Sequence, residues 1–517
     1  MFSAIDQSLN IPYIPNFNNN YKNLGNDKKY YVEVYGCQMN VNDTEILMSI
    51  MDSAGYQKTS ILLEADIIFL CAIRDKAENK IWHRLKYLKS FKTKENLKPL
   101  IGVLGCMAER LKSKLLDADK LVDVVCGPDA YRSLPHLLSL SSQTSQGIAN
   151  VMLSADETYA DITPVRLHND SISATLRIER SRPLFPSIIE EVKLLSNQGI
   201  KEVLLLGQNV NSYRDTSQYE SYQSIGIGNE LSNKGFSTIY RRKEGGIRFT
   251  ELLDNVSIVD PEMRIRFTSP HPKDFPIELL KLIAERPNIC KQIHLPVQSG
   301  NTQVLKRMRR GYSREATDII TGFCGETEEE HKDTLSLMEI VKYDMAYMFA
   351  YSMREKTHAH RNYVDDVPKD VKQRRLSEII KVFHQSAKIK LSKLIDQPQI
   401  VLVEGHSKRN HQHSKRRLLK GRTDGGHKIY FDDISIPDPN NININGDGSN
   451  GGNCNVTLKN GDYVVVIPKS NTSSSLFGIP IVKASIGQFD SLVKSDGFNI
   501  TGDSLTIKSN CKSMAEI

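Results

Sequence analysis

Three cysteines occupy matching places in the first hundred or so residues of this 517-residue chain. Cys37 ends the run "KYYVEVYGC", Cys71 lies at the end of "ADIIFLCA", and Cys106 ends "PLIGVLGC". Each run is apolar or alternating, as strands are, and each precedes a helical pattern. Strands alternating with helices build a mostly parallel sheet, whose C-terminal strand ends share one rim. Thiols at three such ends converge in space, and helix N-termini nearby favour their ionised form. Three thiolates can hold three corners of a [4Fe–4S] cube and leave the fourth iron open to a ligand. The competing reading of each thiol is a buried core cysteine, a common fate for this residue. Cys126, after the strand-like "DVVCGP", competes as a ligand.

The elements that must position these thiols form an α/β domain over residues 29–138. A Ser/Gln/Asp-rich linker follows at 139–170. A second alternation fills 171–395, with strands expected around 172–178, 202–207, 263–269, 291–297, 318–324 and 345–352. Six strand–helix units in series predict a partial (βα)6 barrel. Residues 213–246 interrupt it with a polar insertion read as a surface loop. Residues 396–485 turn to short strands, which predicts a small β-barrel. Its stretch 436–455 is a low-complexity loop too polar to pack. Residues 1–28 and 486–517 are expected to be disordered or flexible.

Composition bounds what such a chain does. The length allows two to four domains. The net charge of +7, from 68 basic and 61 acidic residues, permits nucleic-acid binding without requiring it. Eight cysteines are too few for a disulfide scaffold of this length and suit a reducing compartment. No apolar run reaches membrane-spanning length, so no membrane partner is expected. Residues 1–28 contain Asp6 and no arginine, and make a poor transit peptide.

Longer motifs carry a family resemblance. "YGCQMNVNDTE", "CAIRDKAENKIW" and "GVLGCMAERLK" resemble the N-terminal domain of radical S-adenosylmethionine methylthiotransferases. The match is to the MiaB branch and its eukaryotic subgroup named for association with a cyclin-dependent kinase 5 regulatory subunit. "LLLGQNVNSY", "RIRFTSPHP", "IHLPVQSGN", "GFCGETEEEH" and "MFAYSMREKTHA" resemble the central domain, and the C-terminal barrel resembles a TRAM domain, an RNA-binding module. The resemblance implies two [4Fe–4S] clusters, S-adenosylmethionine as cofactor and tRNA as partner. It implies 2-methylthio modification of N6-isopentenyladenosine, with an auxiliary cluster on Cys37, Cys71 and Cys106. It also implies a mitochondrial compartment, with the cytoplasm as the alternative. The subgroup's name supplies a rival reading, a non-catalytic regulator that binds a cyclin-dependent kinase regulatory subunit.

One family feature is missing. The family holds its radical-generating cluster on a C-x-x-x-C-x-x-C loop directly after the first barrel strand. Here "SATLRI" runs straight into "ERSRP", and no three of the eight cysteines have that spacing. The expected complement is therefore one cluster, with the binding of S-adenosylmethionine in question. A second join, at "GYSREATDIITGFCGE", leaves a short helix where the family pattern leads one to expect a longer one.

Other candidate residues follow from strand ends. Gly207, Gln208 and Asn209 end the second strand of the central domain, Ser269 the third, and Gln298 and Ser299 the fourth. All lie where a parallel barrel places its functional groups, here for cofactor. The run "HSKRNHQHSKRRLLKGR" holds Lys408, Arg409, Lys415, Arg416, Arg417, Lys420 and Arg422, candidates for phosphate contacts to RNA.

Overall fold

In the computed structural model, the described residues are 24–507, less 36–37, 73–74, 96–97, 112–114, 116–120, 145–146, 152–161, 163, 166, 168–170, 179–183, 208, 218–244, 272–274, 295–297, 310–318, 355–356, 408–416, 445–449, 495–497 and 502–503. Some further side chains, that of Cys106 among them, also lie outside the description. The chain divides into two units, residues 1–169 and 170–517.

The first unit is a six-stranded parallel sheet. Its strands are β1 (Lys29–Tyr35), β2 (Gln57–Lys58), β3 (Ile67–Ala72), β4 (Leu100–Leu104), β5 (Val124–Cys126) and β6 (Ile148–Asn150), in the order β2-β1-β3-β4-β5-β6. Alternation along β3 explains why both faces are covered. Ile67, Phe69 and Cys71 pack with Leu47, Met51 and Leu137 from the helices Gln38–Ser53 and Leu134–Thr144. Ile68 and Leu70 face Ile81, Leu85 and Met107 on the other side. A strand buried on both faces reads as a continuous apolar run, as "IIFL" does. The stretch expected to be a linker from 139 carries the end of one helix and all of β6.

The second unit begins with a parallel trio, β7 (Ser173–Arg177), β8 (Glu202–Leu206) and β11 (Arg264–Phe267), in the order β11-β8-β7. The helices Phe185–Asn197, Phe249–Val259 and Ile277–Glu285 bury their apolar stripes against one face of it. The insertion is gripped at its neck by an antiparallel ribbon, β9 (Arg214–Asp215) with β10 (Ile247–Arg248), so its ends are not the open surface loop expected. The parallel series continues in fragments. Ile289 bridges Ile265, Gln298 bridges Ile319, and β12 (Ile319–Thr321) pairs with β13 (Met348–Ala350). Residues 291–294 form no strand, and among the described residues the expected six strands are found as a three-stranded and a two-stranded sheet with these bridges.

The long helix Lys369–Ser392 then leads into a closed barrel, ordered β14-β15-β16-β20-β19. Its strands are β14 (Gln399–His406), β15 (Leu418–Thr423), β16 (Lys428–Asp432), β19 (Tyr463–Asn471) and β20 (Ser475–Lys483). The stretch expected to be a loop forms an antiparallel ribbon, β17 (Ile436–Ile444) with β18 (Asn450–Val456). The stretch expected to be a flexible tail carries a helix, Ile486–Lys494, and a hairpin, β21 (Phe498–Thr501) with β22 (Ser504–Ile507). Backbone pairing in both ribbons satisfies the polar groups that composition alone left unassigned.

Candidate metal centre and rim residues

β1, β3 and β4 lie side by side with β3 in the middle. The register sets Val34 against Cys71 and Cys71 against Leu104. Cys37 therefore comes three residues beyond the pairing level of Cys71 on one neighbour, and Cys106 two residues beyond it on the other. Cys37 and the Cys106 side chain lie outside the described residues. Among the described residues alone, no group of three metal-ligating side chains is assembled.

The donor chemistry around Cys71 suits a thiolate-held group. Cys71 is a free thiol and fully buried. Burial pushes its pKa up to about 12; the Thr44 hydrogen bond pulls it down and the Asp43 charge raises it. A bare thiolate is disfavoured there, so the ionised form needs a cation, which a coordinating metal supplies. Asn40, 1% exposed, spans the two strand ends. Its Nδ2 donates to the Tyr35 carbonyl at 3.1 Å and to the Cys71 carbonyl at 2.9 Å. Its Oδ1 has no hydrogen-bond partner among the described residues. The turn into the helix that starts at Cys106 uses Gly105 at φ 91, a conformation that favours glycine. Cys126 is fully buried among Tyr30, Phe69 and Leu137, with its thiol pushed up by burial and by the charge of Cys71. That environment is the core reading.

Ile178, the last described residue before the first join, is buried and donates to the Leu206 carbonyl. The next described residue is Leu184, followed by the helix Phe185–Asn197. Only residues 179–183 separate them, and none is a cysteine.

On the rim of the second unit, Gly207 is buried and Asn209 half-buried, while Gln208 lies outside the described residues. The reciprocal bonds of Asn211 and His271 stitch the loops after β8 and β11 together: Nδ2 to the His271 carbonyl at 2.9 Å, and the His271 amide to Oδ1 at 2.6 Å. Ser269 and Gln298 both take positive φ, at 56° and 74°. Non-glycine residues in that region store strain, as functional rims often do. Ser299 is different. Its hydroxyl lies 3.4 Å from that of Thr334 and accepts from the Asn301 amide. Gly300 presses so closely that an added Cβ would sit 2.5 Å from the Thr334 Cα. Ser299 therefore anchors this loop to the helix Glu328–Val341, while Gln298 stays at its strained tip. Cys324 packs with Val304 and Phe323, and Glu326 is ion-paired with Arg375 at 3.0 Å.

Of the basic run, Lys408, Arg409, Lys415 and Arg416 lie outside the described residues, and Arg417 is exposed. Lys420 and Arg422 are already matched in charge. Both pair with Glu404, at 2.9 and 2.6 Å, and Arg422 also reaches Glu202 at 3.5 Å. These two residues hold the barrel together and tie it to the central sheet.

The tie is a buried polar assembly, and periodicity gives no sign of it. Arg264 donates to the carbonyls of Arg422 and Ile400 at 2.7 and 2.6 Å. Arg266 donates to Glu202 at 2.8 Å, to Gln292 at 2.6 Å and to the carbonyls of Asp424 and Thr423. The barrel is thus fixed to the sheet face opposite its helices.

Comparison with known proteins decides the lineage. The model of "Uncharacterized protein family UPF0004" matches residues 29–127, the whole cysteine-bearing part of the first sheet. A mouse mitochondrial tRNA methylthiotransferase CDK5RAP1 is 49% identical over 497 positions, covering 88% of this chain and 81% of the mouse protein. The chain belongs to this methylthiotransferase family. A CDK5RAP1-like protein of rice is 48% identical, covering 89% of this chain and 82% of the rice protein. A tRNA-2-methylthio-N(6)-dimethylallyladenosine synthase of Chloroherpeton thalassium is 45% identical, covering 74% and 86%. The mouse match spans 497 positions, whereas 88% of 517 residues is about 455. Within the matched span the relative therefore carries residues that this family member lacks.

Proposed function

We propose that this chain is an iron–sulfur tRNA-modifying protein of the methylthiotransferase type, holding one [4Fe–4S] cluster on Cys37, Cys71 and Cys106. The cited relatives carry that activity in their names, and the mouse protein is named mitochondrial, which supports the same compartment here. The observation that carries the cluster assignment is the register that brings three cysteine-bearing strand ends side by side. When bound, the cluster supplies iron for handling the sulfur that the family inserts at C2 of N6-isopentenyladenosine. The chain's own part is to hold the thiolates at one rim and to keep the site dry beneath the apolar side chains around Cys71.

The central unit we read as a (βα)6 partial barrel reduced at two joins, with Gly207, Gln208, Asn209, Ser269 and Gln298 at its cofactor rim. Its first strand leads into its first helix without the three-cysteine loop, so the S-adenosylmethionine-cleaving cluster has no ligands. Among the described residues, nothing favours the kinase-regulator alternative. The test is anaerobic reconstitution of the full chain with iron and sulfide. About four irons per chain are expected, lost when Cys71 is replaced by alanine, with no 5′-deoxyadenosine formed under reducing conditions. About eight irons with reductive cleavage of S-adenosylmethionine would overturn the reading.

A further inference from the structure

Asn40 joins the two strand ends that precede Cys37 and follow into the rim from Cys71. Buried carbonyls at strand ends need donors, because an unpaired one is costly. The Asn40 amide meets two of them at once, Tyr35 on β1 and Cys71 on β3. Its orientation is fixed, because an amide oxygen turned toward two carbonyls would be repelled. The residue is itself pinned. The Thr44 hydroxyl donates to the Asn40 carbonyl at 2.7 Å, which holds Asn40 at the start of the helix Gln38–Ser53.

We propose that Asn40 is a positioning residue for the cluster, fixing the start of the helix Gln38–Ser53 to the strand end that leads to Cys37 and the strand end that carries Cys71. The proposal rests on the cluster assignment above. A residue that orients a metal-ligating group acts through ligand geometry, and its loss typically weakens metal binding about 10- to 100-fold. Removing the clamp leaves β1 and β3 paired but frees the helix start from their ends, which loosens the cluster and changes its electronic environment without removing a ligand.

The test uses full-length chain with Asn40→Ala and, keeping the side-chain shape, Asn40→Asp. Both are reconstituted anaerobically beside wild type and Cys71→Ala. The readouts are iron content, the reduction midpoint and electron paramagnetic resonance spectrum of the cluster, and the rate of iron loss to a chelator. Apo-protein circular dichroism and urea unfolding are run in parallel. Wild-type cluster content with a shifted midpoint and about tenfold or faster iron loss in the Asn40 variants is the expected result. Variants that fold and match wild type in midpoint, spectrum and loss rate overturn the proposal and leave the cluster assignment standing. If neither variant folds in its apo form, Asn40 serves the fold alone and the proposal fails. A wild-type chain whose iron survives Cys71→Ala sinks the cluster assignment itself, and the clamp with it.

Discussion

Glu202 and Arg266 show how a buried charge in this chain depends on its partners. Glu202 is 4% exposed. Burial pushes its carboxyl up, but Arg266 and Arg422 outweigh burial and hold it below the usual range. Removing one partner of a buried pair strands the other, at about 3–5 kcal/mol where nothing else compensates. Arg422 remains near Glu202, so Arg266→Met is expected to cost toward the low end, about 3 kcal/mol by urea unfolding. Adding Glu202→Gln to that variant should recover part of the loss. The sign with pH follows from the lowered carboxyl. Its stabilising contribution is complete above the unfolded pKa and fades as pH falls through the folded one. Wild type should therefore lose its advantage over Arg266→Met on acidification. If the difference stays constant from neutral to acid pH, the ion pair is not the source of stability. None of these partners is legible in sequence. "RIRF" predicts a strand, yet the strand pattern does not say that Arg264 and Arg266 bind carbonyls more than a hundred residues away.

At the scale of elements, legibility followed the period of the pattern. The strands Ile67–Ala72 and Leu100–Leu104 are readable because apolar runs end at or just before cysteines and helical patterns follow within a few residues. Within the expected strand at 291–297, the described residues 291–294 carry no ladder pairing. Here only the Ile289 and Gln298 bridges remain. β17, β18 and the terminal hairpin were hidden by polar composition, since ribbons held by backbone bonds need little apolar alternation. The turn between β4 and the helix from Cys106 gives an element-level prediction. Gly105 sits at φ 91, where a Cβ costs about 1–2 kcal/mol. Gly105→Ala should destabilise the apo chain by about that amount. It should also lower iron uptake on reconstitution, because the turn aims the residue that follows it. Destabilisation with unchanged iron content would mean that Cys106 is not a ligand.

For the whole molecule, the two joins matter more than any residue. The first unit keeps its six-stranded parallel sheet, and in the second unit the barrel keeps its bonds to the central sheet. The described strands of that central part fall short of the six expected. Two short sheets stand where one six-stranded wall was expected, and the mouse relative carries extra residues within the matched span. If the missing segments are the cause, replacing them should restore both structure and chemistry. Two insertions test this: a family C-x-x-x-C-x-x-C segment between Ile178 and Glu179, and a family helix segment within the join "GYSREATDIITGFCGE". The double insertion should raise reconstituted iron from about four to about eight per chain and allow reductive cleavage of S-adenosylmethionine. The first insertion alone should add iron but give weaker cleavage. The second join still leaves only the short helix Thr302–Arg307 after the strained Gln298, and catalytic groups must be held within about an ångström of their working positions. A double insertion that folds, takes up eight irons and still leaves S-adenosylmethionine intact would place the defect elsewhere in the rim, at Ser269 or Gln298.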